Sequence, residues 1–313
     1  MSRPAPSGAP SGASDIRADA PVLRLAPEGW RPYLRLARLD RPIGTWLLLF
    51  PCWWSIALAQ ASLGQAPDLW LYLLFGVGAM VMRGAGCTVN DLLDRHYDAR
   101  VARTAERPIP SGQVSPRQAL AFLAGLLLLG LAILLQLSEA AAWLGLASLL
   151  LVFPYPLMKR ITYWPQLWLG LTFNWGALMG WAAVTGSLDW PPVLLYLAGI
   201  FWTLGYDTIY AHQDKEDDAL IGVKSSALKL GTRTRPWLVG FYAAALLLFA
   251  AAGGAAGLAW PFYLGLLGVA AQLAWQVRRL EIDDPRRCLL LFRSNRWTGW
   301  LLLAGLLAAP LAA

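Results

Sequence analysis

The chain has 313 residues, of which 57% are hydrophobic and only 14% are charged, and its mean hydropathy is +0.47. This composition excludes an ordinary soluble domain. Apolar stretches of about 18 to 25 residues recur from residue 43 onward, and each is long enough to cross a hydrocarbon core of about 30 Å as a helix. The stretches lack the alternation of a membrane β-barrel, so we predict an all-α polytopic membrane protein.

The sequence divides into a polar beginning and a long apolar remainder. Residues 1–30 are rich in Pro, Ala, Gly and Ser and lack the apolar core of a signal peptide, which predicts a disordered, uncleaved tail. The remainder, residues 31–313, is predicted to form a single transmembrane domain with nine spans. The predicted spans are residues 43–60, 69–92, 117–137, 140–157, 164–184, 191–211, 236–257, 260–277 and 289–312.

The basic residues indicate how these spans are oriented. Of the connections between spans, those near residues 60–68, 137–140, 186–190 and 253–259 contain none of the 26 Lys and Arg residues. The basic connections therefore share one face, which the positive-inside rule assigns to the cytoplasm together with the N-terminus. The net charge of +7 then reflects orientation and attraction to anionic lipid headgroups, and nucleic acid is not a predicted partner. The three cysteines lie far apart and predict neither a disulfide framework nor a zinc site.

An acidic cluster follows the second apolar stretch. On a helix, Asn90, Asp94 and Asp98 fall within an arc of about 80°, and Asp91 lies close to the same arc. Converging oxygen ligands suit Mg²⁺ bridging to phosphate. The alternative is a polar helix end that is simply solvated.

A second acidic cluster follows the sixth stretch, four spans later and on the same predicted face. It contains Asp207, Tyr210, Asp214, Asp217 and Asp218. If the helix continues through the cluster, Asp207, Asp214 and Asp218 fall within about 40° of one another. Two clusters in matching places of two four-span halves indicate one shared site, because repeats in membrane proteins commonly place a ligand at their interface.

Cations on the same face complete the predicted site. Arginine and lysine suit the oxygens of a diphosphate, although each also has an ordinary interpretation as a headgroup anchor. The candidates are Arg107, Lys159, Arg160 and Lys215, and two tyrosines at span ends, Tyr155 and Tyr210, are predicted to line the cavity.

Arg83 differs from the other cations because it lies inside an apolar stretch. It precedes Asn90 by about two helical turns and shares its face. A charge at that depth is costly and needs a cavity or a partner. Arg83 could pair with a substrate carboxylate, or alternatively with a carboxylate of the first cluster.

These residues resemble the UbiA family of intramembrane prenyltransferases, and most closely its members that act on 4-hydroxybenzoate. The family pattern Asn-Asp-x-x-Asp-x-x-x-Asp is matched over residues 90–98, and Asp-x-x-Tyr-x-x-x-Asp over residues 207–214. Weaker agreement comes from Arg-Leu-Asp-Arg-Pro-Ile-Gly at 38–44, Arg-Pro-Ile-Pro-Ser-Gly at 107–112 and Tyr-Pro-Leu-Met-Lys-Arg at 155–160. The resemblance covers about residues 35 to 300.

The resemblance implies nine helices around a central cavity, with Mg²⁺ holding a polyprenyl diphosphate between the two motifs. The metal ligands implied are Asn90, Asp94, Asp98, Asp207, Asp214 and Asp218. The diphosphate would be bound by Arg107, Lys159 and Lys215, and an aromatic carboxylate by Arg83. Asp91 would orient its neighbours or support the metal ligands from behind, and no role is implied for Asp217.

The implied reaction transfers a polyprenyl group to the ring of 4-hydroxybenzoate, ortho to its hydroxyl, in ubiquinone synthesis. We expect it in a bacterial inner membrane, with the active site facing the cytoplasm. Two alternatives remain open: a family member with another acceptor, such as homogentisate, a naphthoate, haem or chlorophyllide, and a secondary transporter. Arg83 favours an acceptor with a carboxylate, and the clustering of acids on one face argues against a transporter.

Overall fold

A computed structural model describes residues 19–99, 104–216 and 222–312 of the chain. All regular structure in these ranges is helical, which agrees with the predicted fold class. The α-helices are α1 (Pro21–Leu25), α2 (Arg31–Leu36), α3 (Ile43–Ser62), α4 (Leu69–Asp98), α5 (Pro116–Leu134), α6 (Glu139–Val152), α7 (Tyr155–Ile161), α8 (Pro165–Phe173), α9 (Gly176–Thr185), α10 (Trp190–Ala211), α11 (Ser226–Leu230), α12 (Thr234–Ala255), α13 (Trp260–Arg279) and α14 (Pro285–Ala308).

Helices lie at the positions of the nine predicted spans, but not all of them are equally suited to cross a membrane. In the described ranges, six helical stretches are long and apolar enough to do so. They are Ile43–Ser62, Leu69–Asp98, Pro116–Leu134, Glu139–Ile161, Trp190–Ala211 and Ser226–Ala255. The protein is therefore a helical membrane protein, and the count of nine spans stays a prediction.

The fifth predicted span is broken into two helices, α8 and α9. Asn174 lies at the break, where its backbone N–H donates to the Gly170 carbonyl oxygen at 3.2 Å. Its side-chain Nδ2 donates to the same carbonyl at 2.9 Å and to Thr203 Oγ1 at 2.8 Å. The amide side chain thus competes with the helical backbone for hydrogen bonds, which explains the interruption.

The predicted disordered tail ends too late in the chain. Helix α1 and a 3₁₀ turn at Glu28–Trp30 occupy part of it, while residues 1–18 lie outside the described residues. Pro21 occupies the first turn of α1, a favourable position for proline. Leu23 is only 2% exposed, so packing of this leucine stabilises a segment whose composition resembles a linker.

The described residues group into two compact units, and the first lies within Met1–Gly44 and Met80–Leu131. Its core joins α2, the connection before α5 and the start of α5 itself, and Leu92 of α4 packs against it. The buried members are Leu36, Ile109, Val114 and Ala119. This core holds the segments before α3 and after α4 beside the end of α4, where the first acidic motif lies.

The second unit lies within Thr45–Ala79 and Ala132–Ala313. Besides its apolar packing, hydrogen bonds join α3, α10 and α13 to α14. One bond from each helix runs from Trp54 Nε1 to the Gly299 carbonyl oxygen at 2.9 Å, from Trp202 Nε1 to Asn295 Oδ1 at 2.9 Å, and from Gln276 Nε2 to Ser294 Oγ at 3.0 Å. Such bonds satisfy polar groups that lipid cannot hydrate.

Candidate active site

The first acidic motif occupies the last three turns of α4. Because α4 continues to Asp98, the residues of the motif share one continuous helix, as their predicted convergence requires. Asp91, Asp94 and Asp98 are 0%, 3% and 9% exposed, respectively. The adjacent Arg95 and His96 are exposed, so the carboxylates occupy the buried face of this helix end.

Asp91 and Asp98 are held by arginines. Arg38 Nη2 donates to Asp91 Oδ1 at 2.6 Å. Arg107 Nη1 donates to the same oxygen at 3.2 Å and to Asp98 Oδ2 at 2.9 Å. The side chain predicted to bind diphosphate therefore contacts two carboxylates in this structure.

Arg107 begins a tight turn that fixes its backbone. Its carbonyl oxygen accepts from the Ser111 N–H at 3.0 Å, and the Pro108 carbonyl oxygen accepts from the Val114 N–H at 2.9 Å. Gly112 adopts a φ of +76°, which favours glycine. Ser111, through its N–H group, and Gly112, through its positive φ, allow the chain to turn directly after Arg107. The turn holds the arginine beside α4.

Arg83 lies against the start of α3. A Cβ atom built on Gly44 would overlap the guanidinium group of Arg83, so this group occupies the space that the missing side chain of Gly44 leaves. Gly44 is the last residue of the Arg-Leu-Asp-Arg-Pro-Ile-Gly segment. The segment was noticed in the sequence, but nothing in its spacing indicated a contact with Arg83.

The second acidic motif does not continue the helix that carries its first residue. Helix α10 ends at Ala211, and the N–H groups of Gln213 and Asp214 bond to carbonyl oxygens three residues earlier. The predicted arc required an unbroken α10, and this condition fails between Asp207 and Asp214. Asp217 and Asp218 lie outside the described residues.

His212 accounts for the end of α10. Its Nε2 shares a hydrogen bond of 2.8 Å with Thr234 Oγ1, and the side chain is 1% exposed. Burial, aided by the charge of Lys215, lowers the pKa of His212 to about 4. The ring is neutral at pH 7 and is held by a residue of α12.

Lys215 and Tyr210 also have partners within the second unit. Lys215 Nζ forms an ion pair with Asp283 and donates to the Ile282 carbonyl oxygen at 3.3 Å. The hydrogen bond and charge of Lys215 lower the pKa of the exposed Asp283 carboxyl. The ring centroids of Tyr210 and Phe292 lie 4.5 Å apart. Neither Asp283 nor Phe292 was singled out in the sequence.

The predicted cations of the fourth span lie on the short helix α7. Tyr155 begins the helix, and Lys159 and Arg160 occupy its last turn, where positive charge interacts favourably with the helix dipole. The Lys159 carbonyl oxygen accepts from the Lys224 N–H at 2.8 Å. This bond ties α7 to the connection that follows the second acidic motif.

The chemistry of the α4 donors can be compared with the needs of a metal ion. Among the residues that the structure describes, no group of three or more His, Cys, Asp or Glu side chains is arranged to hold one. The motif nevertheless offers amide and carboxylate oxygens, the ligands that Mg²⁺ prefers. Arg107 supplies positive charge to two of these carboxylates. The donor set therefore fits magnesium in kind, and coordination would require side chains to rearrange.

Comparison with known proteins identifies the family. The model of the UbiA prenyltransferase family matches residues 48–300. The chain belongs to this family. It is 53% identical over 311 residues to the 4-hydroxybenzoate polyprenyltransferase, mitochondrial, of Bos taurus, covering 99% of this chain and 83% of the relative. For the protein of the same name from Arabidopsis thaliana, identity is 54% over 280 residues, covering 89% and 69%.

Solved structures of the family have the same fold. An apo UbiA homolog from Aeropyrum pernix K1 aligns with a TM-score of 0.69 and 25% identity, covering 82% of this chain and 96% of the homolog. A UbiA homolog from Archaeoglobus fulgidus bound to GPP and Mg²⁺ aligns with a TM-score of 0.57 and 17% identity, covering 88% and 99%.

Family membership decides between the open classes of function. The match to a prenyltransferase family over residues 48–300 and the two relatives named as polyprenyltransferases leave no support for a secondary transporter. The relatives carry mitochondrial names, so the expectation of a bacterial inner membrane gains no support from them. The comparisons establish that the protein is an integral membrane protein.

Proposed function

We propose that this protein transfers a polyprenyl group from a polyprenyl diphosphate to position 3 of 4-hydroxybenzoate, releasing diphosphate, in ubiquinone synthesis. The main support is the identity of more than half of the aligned residues to relatives named for this activity, over nearly the whole chain. The buried acidic motif at the end of α4, with Arg83 two turns earlier on the same helix, supplies residues suited to the two substrates.

The diphosphate is assigned to both acidic motifs and the cations near them. Asn90, Asp94, Asp98, Asp207, Asp214 and Asp218 would hold Mg²⁺, directly or through water, as the Mg²⁺-bound homolog from Archaeoglobus fulgidus suggests by analogy. Magnesium, when bound, supplies positive charge that offsets the charge developing on the departing diphosphate. Arg107, Lys159, Arg160 and Lys215 would donate hydrogen bonds to the diphosphate oxygens. Tyr155 and Tyr210 would line the cavity.

The acceptor is assigned to Arg83. A guanidinium group binds a carboxylate through two parallel hydrogen bonds, and this one lies about two helical turns from Asn90. The Arg83 guanidinium lies in the space that the missing side chain of Gly44 leaves. The bound carboxylate would hold the ring with the carbon ortho to its hydroxyl facing the allylic carbon. The cation formed on ionisation is then captured by the ring, which loses a proton.

Product analysis tests this activity directly. Membranes containing the protein, supplied with 4-hydroxybenzoate and a series of prenyl diphosphates, should yield prenylated 4-hydroxybenzoate that is detected by mass spectrometry. Membranes with the Asp94→Asn variant are the matched control. Prenylation of homogentisate or a naphthoate in place of 4-hydroxybenzoate would contradict the proposed acceptor.

Arg83→Ala should damage acceptor binding selectively. The variant leaves the substrate carboxylate without its charged partner, so we expect the apparent KM for 4-hydroxybenzoate to rise about 100-fold or turnover to be lost. Calorimetric titration with a prenyl thiolodiphosphate, whose C–S bond ionises slowly, should show largely retained binding in the presence of Mg²⁺. Lost thiolodiphosphate binding with unchanged affinity for 4-hydroxybenzoate would assign Arg83 to the acidic motif instead.

We also propose that the basic connections face the cytoplasm. In a variant whose half-buried Cys87 is replaced by serine, Leu63→Cys and Glu106→Cys place single exposed thiols on opposite sides of the predicted membrane. A membrane-impermeant maleimide should label position 63 in intact spheroplasts and position 106 only after lysis. The reverse pattern would invert the orientation.

A further inference from the structure

Asp91 has an unusual electrostatic environment. The residue is fully buried, and its Oδ1 accepts from both Arg38 and Arg107. None of the described residues donates to its other oxygen, Oδ2, which is also buried. Its negative charge is therefore balanced through a single oxygen by two guanidinium groups. A buried carboxylate that loses such partners is strongly disfavoured.

The backbone of Arg38 is held in an uncommon conformation. Arg38 has a φ of 60°, the one positive φ outside glycine among the described residues. The left-handed region is unfavourable for a long side chain, and such strain persists where surrounding contacts impose it. Arg38 Nη1 donates to the Arg35 carbonyl oxygen at 3.3 Å while Nη2 reaches Asp91. The conformation thus directs a buried guanidinium group at Asp91.

The two arginines differ in what else they contact. Arg107 Nη1 lies between Asp91 and Asp98, at 3.2 and 2.9 Å, whereas the Arg38 ion pair is with Asp91. Movement of Arg107 toward a diphosphate would release Asp98 for a cation. Asp91 would then be left with the shorter of its two ion pairs, the one to Arg38. Without Arg38, the charge of Asp91 would hold Arg107 in place.

We propose that Arg38 is a positioning residue that neutralises Asp91, so that Arg107 can exchange Asp98 for the diphosphate of the prenyl substrate. The inference rests on the proposed function, because it requires a diphosphate and a cation at the α4 motif. In this proposal Asp91 controls the position of Arg107. Arg38, which lies outside both acidic motifs, has the role of neutralising Asp91.

The proposal makes opposite predictions for a single and a double substitution. Arg38→Gln should weaken binding of a prenyl thiolodiphosphate with Mg²⁺ about tenfold or more, because Asp91 then retains Arg107. Arg38→Gln with Asp91→Asn removes the retaining charge and should restore affinity to within about threefold of wild type. Binding is measured by calorimetry on purified protein. Arg35→Gln, a neighbouring arginine whose side chain donates to Gln113 at 3.4 Å, is the matched control and should bind normally.

The outcomes separate this inference from the proposed function. A wild-type protein that does not bind the thiolodiphosphate contradicts the proposed function itself. Normal binding by wild type and by Arg38→Gln overturns the role of Arg38 alone. Should Arg38→Gln fail to fold, the Asp91→Asn variant decides: equal or tighter binding supports the proposal, and weaker binding in both this variant and the double variant overturns it. Melting temperatures of all variants identify any change that arises from unfolding.

Discussion

Asp94→Asn is expected to abolish prenyl transfer while the protein remains folded. The substitution keeps the size and one oxygen of a side chain that is 3% exposed, but it removes the charge that a divalent cation needs from its ligand. We expect turnover to fall about 100-fold or more. Product formation should be measured by mass spectrometry across a magnesium titration, with folding monitored by the melting temperature.

Two further measurements make the Asp94 result specific. Glu106→Gln removes an exposed carboxylate that follows the same motif and should leave turnover unchanged. Asp214→Asn should reproduce the loss if both motifs contribute to the metal site. Full turnover by the purified Asp94 variant, or by wild type in excess chelator, would contradict the proposed metal dependence.

Gly44→Ala is expected to impair use of the acceptor through a residue that does not itself bind it. The added methyl group overlaps the Arg83 guanidinium, which must move. A displacement of about 1 Å in a substrate-positioning group can cost about 100-fold in rate. Folding should not suffer, because Gly44 lies in the first turn of α3 and alanine favours helix more than glycine does. The expected result is a defect in acceptor kinetics with normal binding of the prenyl thiolodiphosphate.

Gly86→Ala provides the matched control for this glycine. Gly86 is also helical, and apart from its own neighbours in the helix, a Cβ atom there meets no atom of the described residues within 4 Å. This variant should retain wild-type kinetics. If Gly44→Ala shows the same acceptor kinetics as wild type, then the guanidinium can move without consequence, and the acceptor carboxylate must bind elsewhere.

The first motif was predictable because its geometry is local. Asn90, Asp94 and Asp98 lie on one helix, so the sequence spacing alone places them on one face. The ion pair of Arg38 with Asp91 joins residues 53 positions apart, and helical periodicity carries no information about such a distance. The packing of Arg83 against Gly44 was missed for the same reason.

The second motif illustrates how a tertiary contact overrides local pattern. Nothing in the run from Asp207 to Asp214 predicts a helix end, since the segment contains neither proline nor glycine. The helix ends where His212 bonds to Thr234, 22 residues further along the chain. By contrast, the break at Asn174 had a local signal, because an amide within an apolar stretch can compete for backbone hydrogen bonds.

The hydrogen bonds to α14 have a consequence for biogenesis. Trp54, Trp202 and Gln276 all precede the residues of α14 that satisfy them. During synthesis, helices α3, α10 and α13 emerge from the ribosome while these acceptors do not yet exist. Their polar groups must therefore remain unpaired in lipid or form temporary hydrogen bonds with other partners. The second unit reaches its final packing only after α14 has been inserted.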